Sequence, residues 1–144
     1  TDDPGDMTTD IIGKLSGDSE TDTLTVTLDS NTIPADTQTA VDAVINPQTS
    51  YPGDGTLTAA ENGDRYLVLN DVPSGGDWGT ISAKKNDIIQ YNGTTWSVSF
   101  DASTASTADH TTNTVTMDKL KWNGTQWVNA YEGTYNSGFW RIYL

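Results

Sequence analysis

Few residues of this chain belong to types that do chemistry, and their spacing points to none. His110 is the single histidine, cysteine is absent, and twenty carboxylates are spread along 144 residues. His110 stands in the small, polar, Ser/Thr-rich stretch Ala102 to Asn113, which reads as an exposed loop. A nucleophile with a positioned base would need partners that its neighbours in sequence do not supply. A glycosidase pair requires two carboxyls about 5–9 Å apart across a cleft. No two of the acids stand out for that role, so they read as solvated surface. Asp18-Ser19-Glu20-Thr21-Asp22 spaces carboxylates at alternate positions, as a calcium loop begins, but lacks the later glycine and bidentate Glu that complete one. The expectation is therefore no catalytic residue, no metal site and no cofactor.

Binding potential lies in the aromatic residues. Tyr91, Trp96, Trp122 and Trp127 could stack on sugar rings as an exposed platform; the stronger reading makes them the core, or a subunit contact, of a short-stranded β domain. Asn92-Gly93-Thr94 and Asn123-Gly124-Thr125 both fit the glycosylation sequon, yet Asn-Gly is what a tight turn asks for anyway.

The elements that must position these rings are two hairpins built to one recipe. Ile88-Ile89-Gln90-Tyr91-Asn92-Gly93-Thr94-Thr95-Trp96-Ser97-Val98-Ser99-Phe100-Asp101 sets β-branched and aromatic residues on both sides of Asn-Gly, whose two positive-φ positions suit a primed turn. Leu120-Lys121-Trp122-Asn123-Gly124-Thr125-Gln126-Trp127-Val128-Asn129-Ala130-Tyr131 repeats the phrase aromatic-Asn-Gly-Thr-x-Trp.

Charge and aromatics divide the chain in opposite senses. Residues 1–64 hold thirteen acids against Lys14 alone, a net −12, whereas seven acids face six bases from Arg65 onward, a net −1. Tyr51 is the only aromatic residue before Tyr66, and all five Trp lie at or beyond Trp78. A pI near 4.1 argues against direct nucleic-acid binding, which depends on clustered Lys and Arg. Without cysteine there is neither a disulfide framework nor a thiolate metal site, which fits intracellular assembly. No run of about 18 apolar residues could span a bilayer and no signal segment is evident, so no membrane partner is expected. A chain opening on Thr1 reads as a processed form or an excised fragment.

The expected fold is all-β or mostly β: a small antiparallel sandwich or barrel-like module built on hairpins. Residues 1–60 read as an acidic, less regular extension or subdomain. Residues 61–144 read as the aromatic-rich module, forming one compact unit with a strand at 23–28. The opening Thr1 to Asp6 reads as a flexible arm. Met7, Ile11, Ile12 and Leu15 fit one side of a short helix, although a strand explains Ile11 to Leu15 almost as well. Thr23 to Leu28 alternates strictly, placing Leu24, Val26 and Leu28 on one face. Ala40 to Ile45, between Pro34 and Pro47, reads as a turn or two of helix, and Tyr51 to Gly55 as a turn cluster. Gly63 to Asn70 is β-rich, Trp78 is flanked by glycine, Lys84 to Asp87 is a turn, and Gly138 to Leu144 closes the chain as a strand.

Asp64-Arg65-Tyr66-Leu67-Val68, Gly76-Asp77-Trp78-Gly79 and Asn86-Asp87-Ile88-Ile89-Gln90-Tyr91-Asn92-Gly93-Thr94-Thr95-Trp96 together resemble a small β module of tailed-phage virion proteins. In that module Gly-Asp-Arg-Tyr is followed by a Gly-Trp element and a hairpin of the type Tyr-(Asn/Asp)-Gly-x-x-Trp. The phrase running on through Ser97-Val98-Ser99-Phe100-Asp101 is also similar to structural proteins of contractile-tailed marine phages. The likeness covers residues 60–101, with the second hairpin as an echo. It implies a non-enzymatic structural component of a bacteriophage virion, in tail, neck, baseplate or fibre. Such a part would bind copies of itself and other virion proteins, with Trp140, Ile142 and Tyr143 of the closing strand at or beside the contact. The alternative is a carbohydrate-binding or host-adhesion module whose glycan contacts are Tyr91, Trp96, Trp122 and Trp127.

Overall fold

The computed structural model describes residues 13–21, 23–106 and 108–130. The arm at Thr1 to Asp6, most of the helix or strand expected from Met7, and the closing strand with Trp140, Ile142 and Tyr143 lie outside the described residues. The chain divides into two units, with the boundary after Ala35.

In the first unit, β1 (Gly13–Asp18) and β2 (Thr23–Leu28) form an antiparallel hairpin in register from Gly13 opposite Leu28 to Asp18 opposite Thr23. The alternation in Thr23 to Leu28 thus marks a strand, and Thr23, Thr25 and Thr27 are exposed on it. The side chains of Leu15, Leu24, Val26 and Leu28 are not among those described. The carboxylate of Asp18 accepts the Glu20 N–H at 2.8 Å, which shapes the turn. Backbone donors of this kind hold the Asp18 carboxyl below its ordinary range.

The second unit carries two sheets. β3 (Ala43–Ile45), β4 (Arg65–Val68), β5 (Ile88–Tyr91) and β6 (Trp96–Phe100) make a four-stranded sheet in that order. β3 runs parallel to β4 and the other pairs are antiparallel. β7 (His110–Thr112), β8 (Lys119–Trp122) and β9 (Trp127–Asn129) make a three-stranded antiparallel sheet. The described residues form no α-helix, and one 3-10 turn spans Gly76–Trp78. The fold is all-β.

Residues 36–60, acidic in sequence, contribute β3 and core side chains to this unit. Ala40 to Ile45 is not helical: its last three residues are β3, and Val41 bridges to Asn113. Alternation explains the strand, since Ala43 and Ile45 join one core cluster while Val44 packs on the other. The stretch Ala102 to Asn113 is not wholly loop either, because its last residues before Asn113 form β7. Side chains stand in for the missing apolar signal there. Thr37 Oγ1 accepts the His110 N–H at 2.8 Å, the buried Thr111 hydroxyl donates to the Thr39 carbonyl at 3.0 Å, and Thr112 Oγ1 donates to Asp36 at 2.8 Å.

The central sheet is covered on both faces. On one side Tyr66, Val68, Ile89 and Trp96 pack with Val72, Trp78, Ile81 and Ala83 from the connection between β4 and β5. On the other, Leu67, Ile88 and Phe100 pack with Val41 and Trp122, flanked by Leu120 and Trp127 of the second sheet. The four residues of β4 are all buried, as a strand between two apolar layers requires.

Candidate functional site

The residues that carry the sequence motif converge in space. Gly63, at φ 105°, turns the chain so that its N–H donates to the Tyr91 carbonyl at 2.9 Å, holding the start of β4 against the end of β5. Asp64 accepts the Glu61 N–H at 2.8 Å and the Tyr66 hydroxyl at 3.3 Å. Burial, with Asp64 beside it, pushes the Tyr66 phenol up to about 12, so it stays a neutral donor. The glycine-flanked 3-10 turn swings Trp78 inward, where its indole N–H donates to the Pro47 carbonyl at 3.1 Å.

The rings then meet. Trp96 lies 5.2 Å from Tyr66, 5.2 Å from Trp78 and 5.1 Å from Tyr91, centroid to centroid. Tyr66 and Trp78 add an edge-on contact at 6.5 Å. Such pairs add roughly 0.5–1.5 kcal/mol each beyond the area they bury. Gly-Asp-Arg-Tyr, Gly-Trp and Tyr-Asn-Gly-x-x-Trp are therefore three pieces of one aromatic cluster.

The second hairpin builds a matching cluster on the opposite face. Phe100, Trp122 and Trp127 form a triangle with centroids 5.6, 4.9 and 5.8 Å apart. The Trp127 indole donates to the Asn86 carbonyl at 2.9 Å and that of Trp122 to Ala105 at 3.4 Å.

This arrangement does not assemble the glycan platform of the alternative reading. Trp96 is 8% and Trp122 2% exposed. The half-buried Tyr91 and Trp127 pack against different clusters, on opposite faces of the sheet. Rings divided between two separate cores do not present one stacking surface.

The turns also differ from a two-residue primed turn. Tyr91 pairs with Trp96 and Trp122 with Trp127, leaving Asn92 to Thr95 and Asn123 to Gln126 as the loops. Only the glycines take positive φ, 89° at Gly93 and 94° at Gly124. The asparagines act through their side chains. Asn92 Oδ1 accepts the N–H groups of Thr94 and Thr95 at 2.9 and 2.8 Å, and Asn123 Oδ1 accepts those of Thr125 and Gln126 at 3.0 Å each.

Arg65 was not singled out by its spacing, yet it is the most unusual polar group of the motif. It is 7% exposed, its Nη1 donates to Gln90 Oε1 at 2.7 Å, and its Nε has no partner among the described residues. Burial lowers its pKa, opposed by Asp42, whose carboxylate also accepts the Arg65 backbone N–H at 2.8 Å.

His110 sits half-buried on β7, in register with Lys121, and is not a fully solvated loop residue. Burial first, then Lys121 and Lys119, hold its imidazole below 6.5, opposed by Asp36 and Asp109. Those two acids have structural work. Asp36 pairs with Lys119 Nζ at 2.7 Å, while Asp109 accepts from Thr37 and Gln38. Among the described residues no group of three or more His, Asp or Glu is placed to hold a metal ion. No helix among them is long and apolar enough to cross a membrane.

Comparison with protein-family models, with curated proteins and with solved structures finds no match to this chain.

Proposed function

We infer that this chain is a non-enzymatic structural component of a bacteriophage virion, acting through contacts with copies of itself and with other virion proteins. The observation that carries the reading is the convergence of Tyr66, Trp78, Tyr91 and Trp96. The phage-like motif packs a rigid core, with Tyr66, Trp78 and Trp96 buried and Tyr91 half-buried against them. A part that serves by holding shape needs that use of its largest side chains. An adhesion module would need them outside. The chain's acidity suits a virion protein that must not adhere to nucleic acid before or after assembly.

Mass spectrometry of gradient-purified particles of the source phage tests the reading. The chain is expected at a copy number matching a symmetric substructure of the particle. Its absence from intact particles, with abundance in the infected-cell lysate, overturns the reading.

A further inference from the structure

We propose that Asn92 and Asn123 are sites of self-modification, each converting to aspartate and isoaspartate through a succinimide closed by the main-chain nitrogen of the glycine that follows, and that the fold protects Asn62 from the same reaction. This chemistry does not depend on the chain's place in a particle.

Three Asn-Gly pairs occur in the chain, Asn62-Gly63, Asn92-Gly93 and Asn123-Gly124. Glycine has no side chain to crowd its own nitrogen, so this dipeptide closes the ring readily. The pairs are matched in residue type, exposure and backbone form: all three asparagines are exposed, and the glycines take φ 105°, 89° and 94°. They differ in how the two reacting groups are held.

The nucleophile is the glycine nitrogen once it has lost its proton. Gly63 N–H donates to the Tyr91 carbonyl at 2.9 Å, and that proton cannot leave without breaking the bond. Among the described residues the N–H groups of Gly93 and Gly124 donate to no acceptor and are open to base. The electrophile is the asparagine Cγ, and negative charge gathers on Oδ1 as the nitrogen adds to it. Two backbone N–H groups already point at that oxygen in each loop, from Thr94 and Thr95 on Asn92 and from Thr125 and Gln126 on Asn123, where the Thr125 hydroxyl is a third donor at 2.9 Å. Each turn thus carries a small oxyanion hole. Asn62 Oδ1 accepts no hydrogen bond from the described residues, and its side chain rests against Gly93, its Cβ 3.4 Å from where a Cβ on that glycine would stand.

The atoms balance with water as the one co-reactant. The Gly93 nitrogen gives its proton to solvent and bonds to Asn92 Cγ; the Cγ–Nδ2 bond breaks, and Nδ2 takes up a proton and leaves as ammonia. Water then opens the imide ring. Opening at the former side-chain carbonyl gives aspartate, opening at the main-chain carbonyl gives isoaspartate, and nothing is oxidised or reduced. Asn123 and Gly124 react alike. Aspartate keeps the Oδ1 acceptor and adds a negative charge to a chain already at −13. Isoaspartate adds a methylene to the main chain inside loops whose ends are fixed by the pairing of Tyr91 with Trp96 and of Trp122 with Trp127, so it loosens the hairpin beside a core ring.

Peptide mapping by mass spectrometry on the full chain, incubated at mildly alkaline pH and sampled over days, tests this without any substitution. Electron-transfer fragmentation separates isoaspartate from aspartate. In the folded protein Asn92 and Asn123 are each expected to convert about tenfold faster than Asn62, the factor that the bonded Gly63 proton and the donors on Oδ1 together supply. In guanidinium chloride, where these hydrogen bonds are lost, the three rates are expected to converge. Asn62 converting as fast as Asn92 or Asn123 in the folded chain overturns the proposal. The same spread of rates in the denatured chain also overturns it, because neighbouring residues and not the fold would then set the order.

Discussion

Trp96 and Phe100 stand on one strand with parity that should aim them to the same side, yet they face opposite sides of the central sheet. The register explains it. Val98 lies opposite Ile89 but Phe100 lies opposite Ile88, so Ser99 is an extra residue, a β-bulge. Its hydroxyl donates to the Ile88 carbonyl at 3.1 Å, tying the bulge down. One hairpin thereby feeds both cores: Trp96 goes to Tyr66 and Trp78, and Phe100 goes to Trp122 and Trp127.

Deleting Ser99 should leave Phe100 opposite Ile88 and in its cluster, because three residues after Trp96 plain alternation already puts it on the other face, at a cost of about 1 kcal/mol for the lost hydrogen bond. Deleting Val98 together with Ser99 should turn Phe100 out of its cluster, at a cost resembling that of truncating a core Phe, about 3–5 kcal/mol in denaturant unfolding. Ser99→Ala keeps the extra residue and should also cost about 1 kcal/mol. Equal effects from the single and the double deletion would contradict the re-phasing.

The turns can be tested through their asparagines. Asn92→Ala and Asn123→Ala each leave two backbone N–H groups without their side-chain acceptor and should each cost about 1 kcal/mol. Asn92→Asp and Asn123→Asp keep the acceptor and should stay within about 0.5 kcal/mol of the parent in urea titrations. Aspartate variants as unstable as the alanine variants would show that the carbonyl oxygen is not what shapes these loops.

How much of this was legible in the sequence differs by element. Both hairpins, the strand at Thr23 to Leu28 and the buried run at Arg65 to Val68 follow from local alternation and from residues that turns demand. The short strand Ala43–Ile45 does not, because its apolar run suits a helix equally and its parallel pairing with β4 depends on distant residues. β7 was hidden for a different reason: Thr111 and Thr112 are held by hydroxyl bonds to Thr39 and Asp36, which composition reads as loop. The bulge at Ser99 left no trace in residue type. The separation of the four candidate glycan-binding rings into two cores follows from cross-strand packing that the hairpin phrases alone do not contain.

Arg65 and Gln90 make an incompletely paired buried couple, with Nε left over. Removing the partner alone, as in Gln90→Leu, should cost about 2 kcal/mol, since it strands the guanidinium further. The double change Arg65→Met with Gln90→Leu should return stability to within about 1 kcal/mol of the parent or raise it. Chemical denaturation of the single and double variants reads this, and a double variant less stable than the single one would contradict it.

Because burial holds the His110 imidazole below 6.5, the unfolded chain takes up this proton first as pH falls. The associated stability is complete above 6.5 and declines as pH drops from there through the folded value. His110→Gln, which takes no proton, should flatten that part of the curve in urea unfolding from about pH 7.5 to about pH 5. NMR titration of the imidazole should give a midpoint below 6.5, and a midpoint at or above it would contradict the burial argument.

Equilibrium unfolding of Trp96→Ala, with glycan-array binding measured on the same protein, tests most directly whether the aromatic phrases hold this domain together. If Trp96 is the keystone between Tyr66, Tyr91 and Trp78, the variant loses about 3–5 kcal/mol of stability and the parent shows no glycan binding for it to lose. A variant as stable as the parent that has lost binding to a specific glycan would contradict the account.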